Sequence, residues 1–291
     1  MDSLQIKYFK VTAETENISK AAKSLYISQS SLSQTIRHLE NELGYPLFDR
    51  KGRSICLNEN GRIFLEFVKK TEQEYEGTLT QMAENNADYH KKVSLQILCA
   101  SLYLPRIMEY LKENLPGVSF SVSQQNHGSL SSSDADIQIY ATSVPTDAEN
   151  TALLLEENIL PAIPKDHPLL SKPEICLSDL TEEKFISLNS SWELEKIITA
   201  GCAEKGFTPV TSIQVDNPDV MRRLLCQNLG LAFVPEKTWG TAFANGMLTL
   251  CPIRDFYIKR YVYLKWKPGY LPENVKQCIM LLRNFFKENF K

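Results

Sequence analysis

The sequence predicts an α/β protein that opens with a winged helix-turn-helix and continues through one long helix. Three observations predict it: two helix starts within the first thirty positions, a basic glycine turn at 49–53 between short strands, and strand-helix alternation from Val93 onward. At 291 residues the chain has room for two or three compact domains.

Leu4, Phe9 and Val11 begin an apolar-periodic helix that ends near Asn17, where Ile18 followed by Ser19 reads as a hydrophobic residue ahead of an N-cap. The next helix carries Ala21 and Ala22, small enough for another helix to cross closely. Ser28 then caps a third helix over 29–43, in which Leu32, Ile36, Leu39 and Leu43 share the inner face. Its outer face presents Ser30, Ser33, Gln34 and Arg37 at helical spacing. A plain solvated helix shows the same stripe. In a major groove, Gln29 would pair with adenine N6 and N7, the hydroxyls of Ser28, Ser30, Ser31 and Ser33 would bond bases or phosphates, and Arg37 would reach guanine or the backbone.

The segment that follows favours the groove. Gly44-Tyr45-Pro46-Leu47-Phe48 ends the helix, and Arg50, Lys51 and Arg53 surround Gly52 ahead of the strand Ser54–Leu57. That is a wing whose basic tip can lie along phosphates, giving affinity that depends on salt and not on sequence. The net charge of −3 hides an asymmetry: residues 1–62 hold nine Lys/Arg against seven Asp/Glu, and the remainder is net negative. The expected partner is double-stranded DNA.

From Tyr8-Phe9 through Ala21-Ala22, Leu25, Ile27-Ser28-Gln29, Leu32-Ser33, Ile36, Leu39-Glu40, Leu43-Gly44, Pro46-Leu47-Phe48, Arg50 and Gly61, this segment resembles the LysR-type transcriptional regulators of bacteria. Many of those proteins carry Pro and Ala where this chain has Ser30 and Ser31, and a basic residue where it has Gln34. The resemblance therefore implies the fold and the activity, and leaves the base readout open.

Asn58 caps a helix running to about Tyr89, with Phe64, Val68, Thr71, Tyr75, Leu79, Met82 and Tyr89 near heptad spacing. Thirty such residues would span about 45 Å, too far to be buried on a small domain, so the seam implies a partner helix. The alternative is a helix lying on its own protein. A paired helix would hold two wings about a two-fold axis, hence an inverted-repeat promoter site. Similar regulators assemble as dimers or dimers of dimers.

Strands are expected at Val93–Cys99, Val118–Gln124, Asp136–Ala141, Asn158–Ile163, Phe185–Leu188, Thr211–Val215, Leu231–Val234 and Arg260–Trp266, with helices at Tyr103–Leu115, Glu193–Lys205, Pro218–Gln227 and Glu273–Phe290. The alternation suggests mostly parallel sheets. The resemblance implies a two-lobed, periplasmic-binding-protein-like effector domain in this region. Asn228 stands where the family often has glycine. The expected division is a DNA-binding domain at 1–58, a linker helix at 59–89 and an effector domain at 90–291. Within the last, lobe one would be 92–160 and 259–291, and lobe two 161–258.

In such folds ligands sit between lobes, where strand ends meet helix starts with unpaired N–H groups. Ser101 and Leu102 follow the first strand, Asn189, Ser190 and Ser191 follow another, and Asn217 and Pro218 follow a third. Each place reads equally as an ordinary N-cap. Their recurrence favours a small polar or anionic effector. The Ser- and Gly-rich stretch Gln125–Asp136 is either a loop at the cleft edge or an inert one.

Other functions fit less well. The chain has no GxSxG, Walker A or GxGxxG motif, so neither an enzyme nor a bound cofactor is expected. Seven scattered cysteines without CxxC, and four histidines without ligand spacing, suggest no metal site and a reducing compartment. A redox sensor using Cys202 or Cys226 is the remaining variant. The start Met1-Asp2-Ser3-Leu4-Gln5 lacks a secretory pattern and no apolar run reaches membrane length, which points to the cytoplasm and disfavours a transport component.

Overall fold

The computed structural model describes residues 2–51, 54–84, 91–124, 135–240 and 246–290. It divides into two compact units, 1–87 and 88–291. Arg53, Tyr89 and nearly all of the 125–136 stretch lie outside the described residues.

The first unit begins with α1 (Ser3–Thr15). Asp2 accepts the Gln5 N–H at 2.7 Å and its own N–H reaches Gln5 Oε1 at 2.7 Å, a reciprocal cap. The helix α2 (Ile18–Ser24) is capped by Asn17, which accepts the Lys20 N–H at 3.0 Å, and not by Ser19 as expected. The reason is that α1 stops early, with Glu16 left-handed at φ 44°, which leaves Asn17 extended and free to cap. Ser28 does cap α3 (Gln29–Leu43), accepting the Ser31 N–H at 3.1 Å. Leu32, Ile36 and Leu39 are buried with Phe9, Ala21 and Ala22.

The strands β1 (Phe48–Lys51) and β2 (Ser54–Leu57) form an antiparallel hairpin, Phe48 facing Leu57 and Lys51 facing Ser54. Two carboxylates fasten it. Glu40 of α3 accepts the N–H groups of Leu47 and Phe48 at 2.7 and 3.2 Å, and Glu16 accepts that of Leu57 at 2.7 Å. The helix α4 (Glu59–Glu84) starts on an Asn58 cap to the Gly61 N–H at 2.9 Å. Its first turns pack on their own unit: Val68 is buried and the Phe64 ring lies 4.9 Å from that of Phe9. Those two residues therefore leave the expected partner seam, because the short α1–α3 core needs a lid. Further along, Phe67, Tyr75, Leu79 and Met82 remain exposed on a stripe with Ile63.

The second unit contains β3 (Lys92–Ile97), a 3-10 turn at Ser101–Tyr103, α5 (Leu104–Asn114), β4 (Ser119–Ser123), β5 (Ile137–Thr142), β6 (Thr151–Pro164) and β7 (Lys184–Leu188). It continues with α6 (Glu193–Glu204), β8 (Val210–Val215), α7 (Pro218–Cys226), β9 (Ala232–Pro235), α8 (Glu236–Gly240), β10 (Leu248–Leu250), β11 (Ile258–Trp266) and α9 (Glu273–Asn289). The main sheet has the order β10-β6-β11-β5-β3-β4, with β9 also on β6, and β7-β8 pair separately. Asn228 adopts the left-handed conformation at φ 57° that a glycine would.

The sheets are not mostly parallel. Among the described strands, β3-β4, β3-β5 and β7-β8 pair parallel, with an isolated parallel bridge from Phe185 to Leu231, whereas β6 pairs antiparallel with β9, β10 and β11, and β11 with β5. The cause is that β6 and β11 each run through two hydrophobic cores. Leu155 and Val262 belong to one core, with β3, α5 and α9; Ile159 and Ile258 belong to the other, with β7, α6, α7 and β9. We call these lobe one and lobe two.

Gly61 sits where a methyl group cannot fit: a Cβ would lie 2.2 Å from the Leu47 carbonyl oxygen and 2.6 Å from Leu57 Cδ1. Gly61→Ala is therefore expected to cost about 1–3 kcal/mol through displacement of the wing from α4. Thermal unfolding compared with the wild type checks it, and an unchanged melting temperature would contradict the packing described.

Candidate functional sites: a nucleic-acid interface and an interlobe cleft

On α3 the buried residues occupy one face, and Gln29, Ser30, Ser31, Gln34 and Arg37 are exposed on the other, with Ser33 half-buried. Ser28 is committed to capping, and its hydroxyl also meets that of Ser30 at 2.9 Å. Gln29, Gln34 and Arg37 carry no comparable commitment. Arg50 and Lys51 lie on β1 of the wing. Sequence reasoning passed over Tyr26, which is left-handed at φ 56° and 96% exposed in the turn leading to the Ser28 cap. Its signal was the tight turn between two short helices, which leaves no apolar neighbour for the ring.

The second site is a cleft of about 890 Å³ between the lobes. Of the residues expected there, Ser101, Asn189, Ser191, Asn217 and Pro218 line it. Leu102 does not: the 3-10 turn directs it against the lobe-one core. Ser190 is exposed outside the cleft lining, because Asn189 folds over to accept the Ser191 N–H at 3.1 Å and leaves Ser190 at the outer bend.

The helix starts facing this cleft are not equivalent. Asn217 accepts the N–H groups of Asp219 and Val220 at 2.8 and 3.4 Å, so the start of α7 is already satisfied by its own cap. No side chain caps the Ser101 turn, α5 or α6. The α6 start retains N–H donors and a favourable dipole for negative charge, whereas in the Ser101 turn the Tyr103 N–H donates to the Ala100 carbonyl and the Leu104 N–H to that of Ser101, and Pro105 at the start of α5 has no N–H.

The floor is a buried polar cluster that sequence reasoning missed. Arg260 of β11 faces Glu157 of β6 in the antiparallel register. Its Nε donates to Glu157 Oε1 at 2.8 Å and Nη2 to Thr238 Oγ1 at 2.7 Å. Glu157 also accepts the Lys237 and Thr238 N–H groups at 2.9 and 2.8 Å, which ties α8 to the strand pair. Arg260 and Glu157 are each 2% exposed. The available signal was a pair of charges inside otherwise strand-like segments. Trp192 and Trp239 complete the walls, and Trp192 Nε1 donates to the Asp216 carbonyl at 2.8 Å.

An outward polar helix beside a wing, joined in one chain to a two-lobed domain with a ligand-sized cleft, defines a DNA-binding protein that senses a small molecule. Residues 4–62 match the bacterial regulatory helix-turn-helix proteins of the lysR family, and residues 92–287 match the LysR substrate binding domain. The chain is 32% identical over 244 residues to the uncharacterized HTH-type transcriptional regulator YybE of Bacillus subtilis, covering 81% of this chain and 83% of that one. It is 30% identical over 271 residues to the transcriptional dual regulator GltC of the same organism, covering 90% and 89%. Its fold resembles the regulatory domain of Synechocystis CcmR solved with 2-PG, at TM-score 0.59 and 19% identity, over 68% of this chain and 98% of that one. This chain belongs to the LysR family of transcriptional regulators. Its partners are double-stranded DNA and a small-molecule effector.

No helix among the described residues is long and apolar enough to cross a membrane. The redox variant loses one of its two residues: Cys202 is 1% exposed and burial pushes its thiol up to about 12, as it does for fully buried Cys278. A thiol raised that far is almost wholly protonated at neutral pH and is a poor nucleophile. Native protein treated with a thiol-reactive dye at neutral pH should leave Cys202 and Cys278 unmodified in peptide mapping, and denaturant should expose both. Rapid native labelling of Cys202 would reverse this conclusion.

Proposed function

We propose that α3 reads the operator through Gln29, Gln34 and Arg37, with Ser30, Ser31 and Ser33 contributing hydroxyls, while Arg50, Lys51 and Arg53 grip phosphates. Ser28 holds the helix start in place. The effector occupies the interlobe cleft against Ser101, Asn189, Ser191, Asn217 and Pro218, and it shifts the protein toward the lobe arrangement that binds it more tightly. Residues 1–58 serve as the DNA-binding domain, 59–89 as the linker helix and 90–291 as the effector domain. The exposed stripe of Phe67, Tyr75, Leu79 and Met82 is covered by a second copy of α4, giving a dimer, or a dimer of dimers, that recognises an inverted repeat. The protein acts in the cytoplasm by binding and not by catalysis.

The observation that carries this reading is the uncommitted polar face of α3, exposed beside a wing in the same chain as a cleft whose walls include uncapped helix starts. Gln29→Ala is expected to cost about 1–3 kcal/mol on the preferred site and little on random DNA. Arg53→Ala should weaken both alike and lower the salt slope by about one. A gel-shift salt titration separates them, and equal losses for Gln29→Ala on both DNAs would refute base reading.

Ser101→Trp should fill the cleft, abolishing the effector-dependent change in a DNA footprint while basal binding persists. An unaltered effector response would move the ligand elsewhere.

A further inference from the structure

The charges around the cleft are unevenly divided. Apart from Arg260, on the strand pair that runs through both cores, lobe one contributes no charged residue to the lining; its other polar groups there are neutral, among them Ser101 at an uncapped turn. The floor cation, Arg260, is already paired with Glu157. Lobe two contributes three carboxylates, Glu193, Asp216 and Asp219, together with the indoles of Trp192 and Trp239. A ligand that carried only negative charge would face three like charges across a narrow gap.

Two of those carboxylates have cations behind them. Glu193 meets Lys196 at 3.1 Å. Asp219 pairs with Arg222, which is 6% exposed and whose guanidinium carbon lies 4.8 Å from the Trp239 ring centroid. Nη1 of Arg222 has no hydrogen-bond acceptor among the described residues and Nη2 meets the Asp219 carboxylate, so this buried cation depends on Asp219 for compensation. A ligand that drew Asp219 away would strand it. Asp216 has no such obligation: its carboxylate enters no ion pair or side-chain hydrogen bond among the described residues, while its carbonyl holds Trp192 Nε1. Such a carboxylate beside the half-buried indole of Trp192 in the cleft lining is a recognition site for an ammonium group, which gains both the ion pair and contact with the ring.

We infer that the effector is a zwitterion of the amino-acid class, its protonated amine held by Asp216 beside Trp192 on lobe two and its carboxylate received by the hydroxyl of Ser101 on lobe one. This rests on the cleft being the effector site. Opposite charges on opposite walls make such a ligand a bridge between the lobes, so that both ends are satisfied only when the lobes close on it. A dicarboxylate satisfies one wall and is repelled by the other.

The test is isothermal calorimetry and thermal shift on the full chain with two sets of probes, the standard L-amino acids and the amine-free carboxylates from acetate to glutarate. At least one amino acid should bind and raise the melting temperature, and Asp216→Asn should weaken it about 10- to 100-fold, the worth of a charge-assisted hydrogen bond. Glu193→Gln should change it far less. Binding of an amine-free carboxylate that Ser101→Trp abolishes and Asp216→Asn does not weaken would keep the cleft and overturn the zwitterion. Silence from every amino acid would overturn it as well. An amino acid whose affinity is untouched by either Ser101→Trp or Asp216→Asn would overturn the cleft reading itself.

Discussion

The antiparallel pairing of β6 with β11, and the buried contact of Glu157 with Arg260 inside it, is the constraint from which the effector domain follows. Among the described residues, these two strands are the main-sheet elements that contribute to both cores, with Leu155 and Val262 in one and Ile159 and Ile258 in the other. Two charges taken out of water at that point are costly to bury, and losing one partner strands the other, typically at about 3–5 kcal/mol. Here the cost is met by a saturated network: Glu157 accepts from Arg260, from the Thr238 hydroxyl and from two backbone N–H groups of α8. One carboxylate therefore fixes the register of the crossing strands, anchors the α8 start and leaves Trp239 on the cleft wall.

The DNA-facing unit uses the same economy at smaller scale. Three helices of modest length give a core around Phe9, Leu32 and Leu39, too small to hold a two-stranded hairpin by apolar contact alone. Glu40 and Glu16 supply the missing fastening by accepting backbone N–H groups of the hairpin, and Gly61 allows α4 to close over it. With caps and carboxylates occupied internally, the outward side chains of α3 are the ones left available to a duplex. Scaffolding polar groups and solvent-facing ones thus share one helix: Ser28 and Glu40 bond to the protein's own backbone, while Gln29, Gln34 and Arg37 face solvent.

Much of the fold was legible because local chemistry wrote it. The Ser28 cap, the period of Leu32, Ile36 and Leu39, the Asn58 cap and the pairing of the two short wing strands are short-range signals that no distant contact had to complete. In the cleft, Ser101 and Asn217 were visible as residues following strands, but whether a helix start is free or self-satisfied was not: Asn217 turns back on α7 and Ser101 has no such cap above it. The misreading of β6 has a clear cause. In β6, Glu156, Glu157 and Asn158 interrupt the apolar run, so only its second half resembled a strand, although Glu157 is among the least exposed residues of the chain.

The sequence by itself determined the order of elements, the amphipathic faces, the basic wing and the membership of the first sixty residues in a recognisable DNA-binding pattern, since each depends on residues within a turn or two of one another. Strand direction, the two-core architecture, the Arg260–Glu157–Thr238 cluster and the division of charge across the cleft were decided only by tertiary structure. They join residues about 100 positions apart, as in Glu157 and Arg260, and burial can reverse what a charged residue means. A carboxylate in solvent is a solubilising group; the same carboxylate between two strands is a structural bolt.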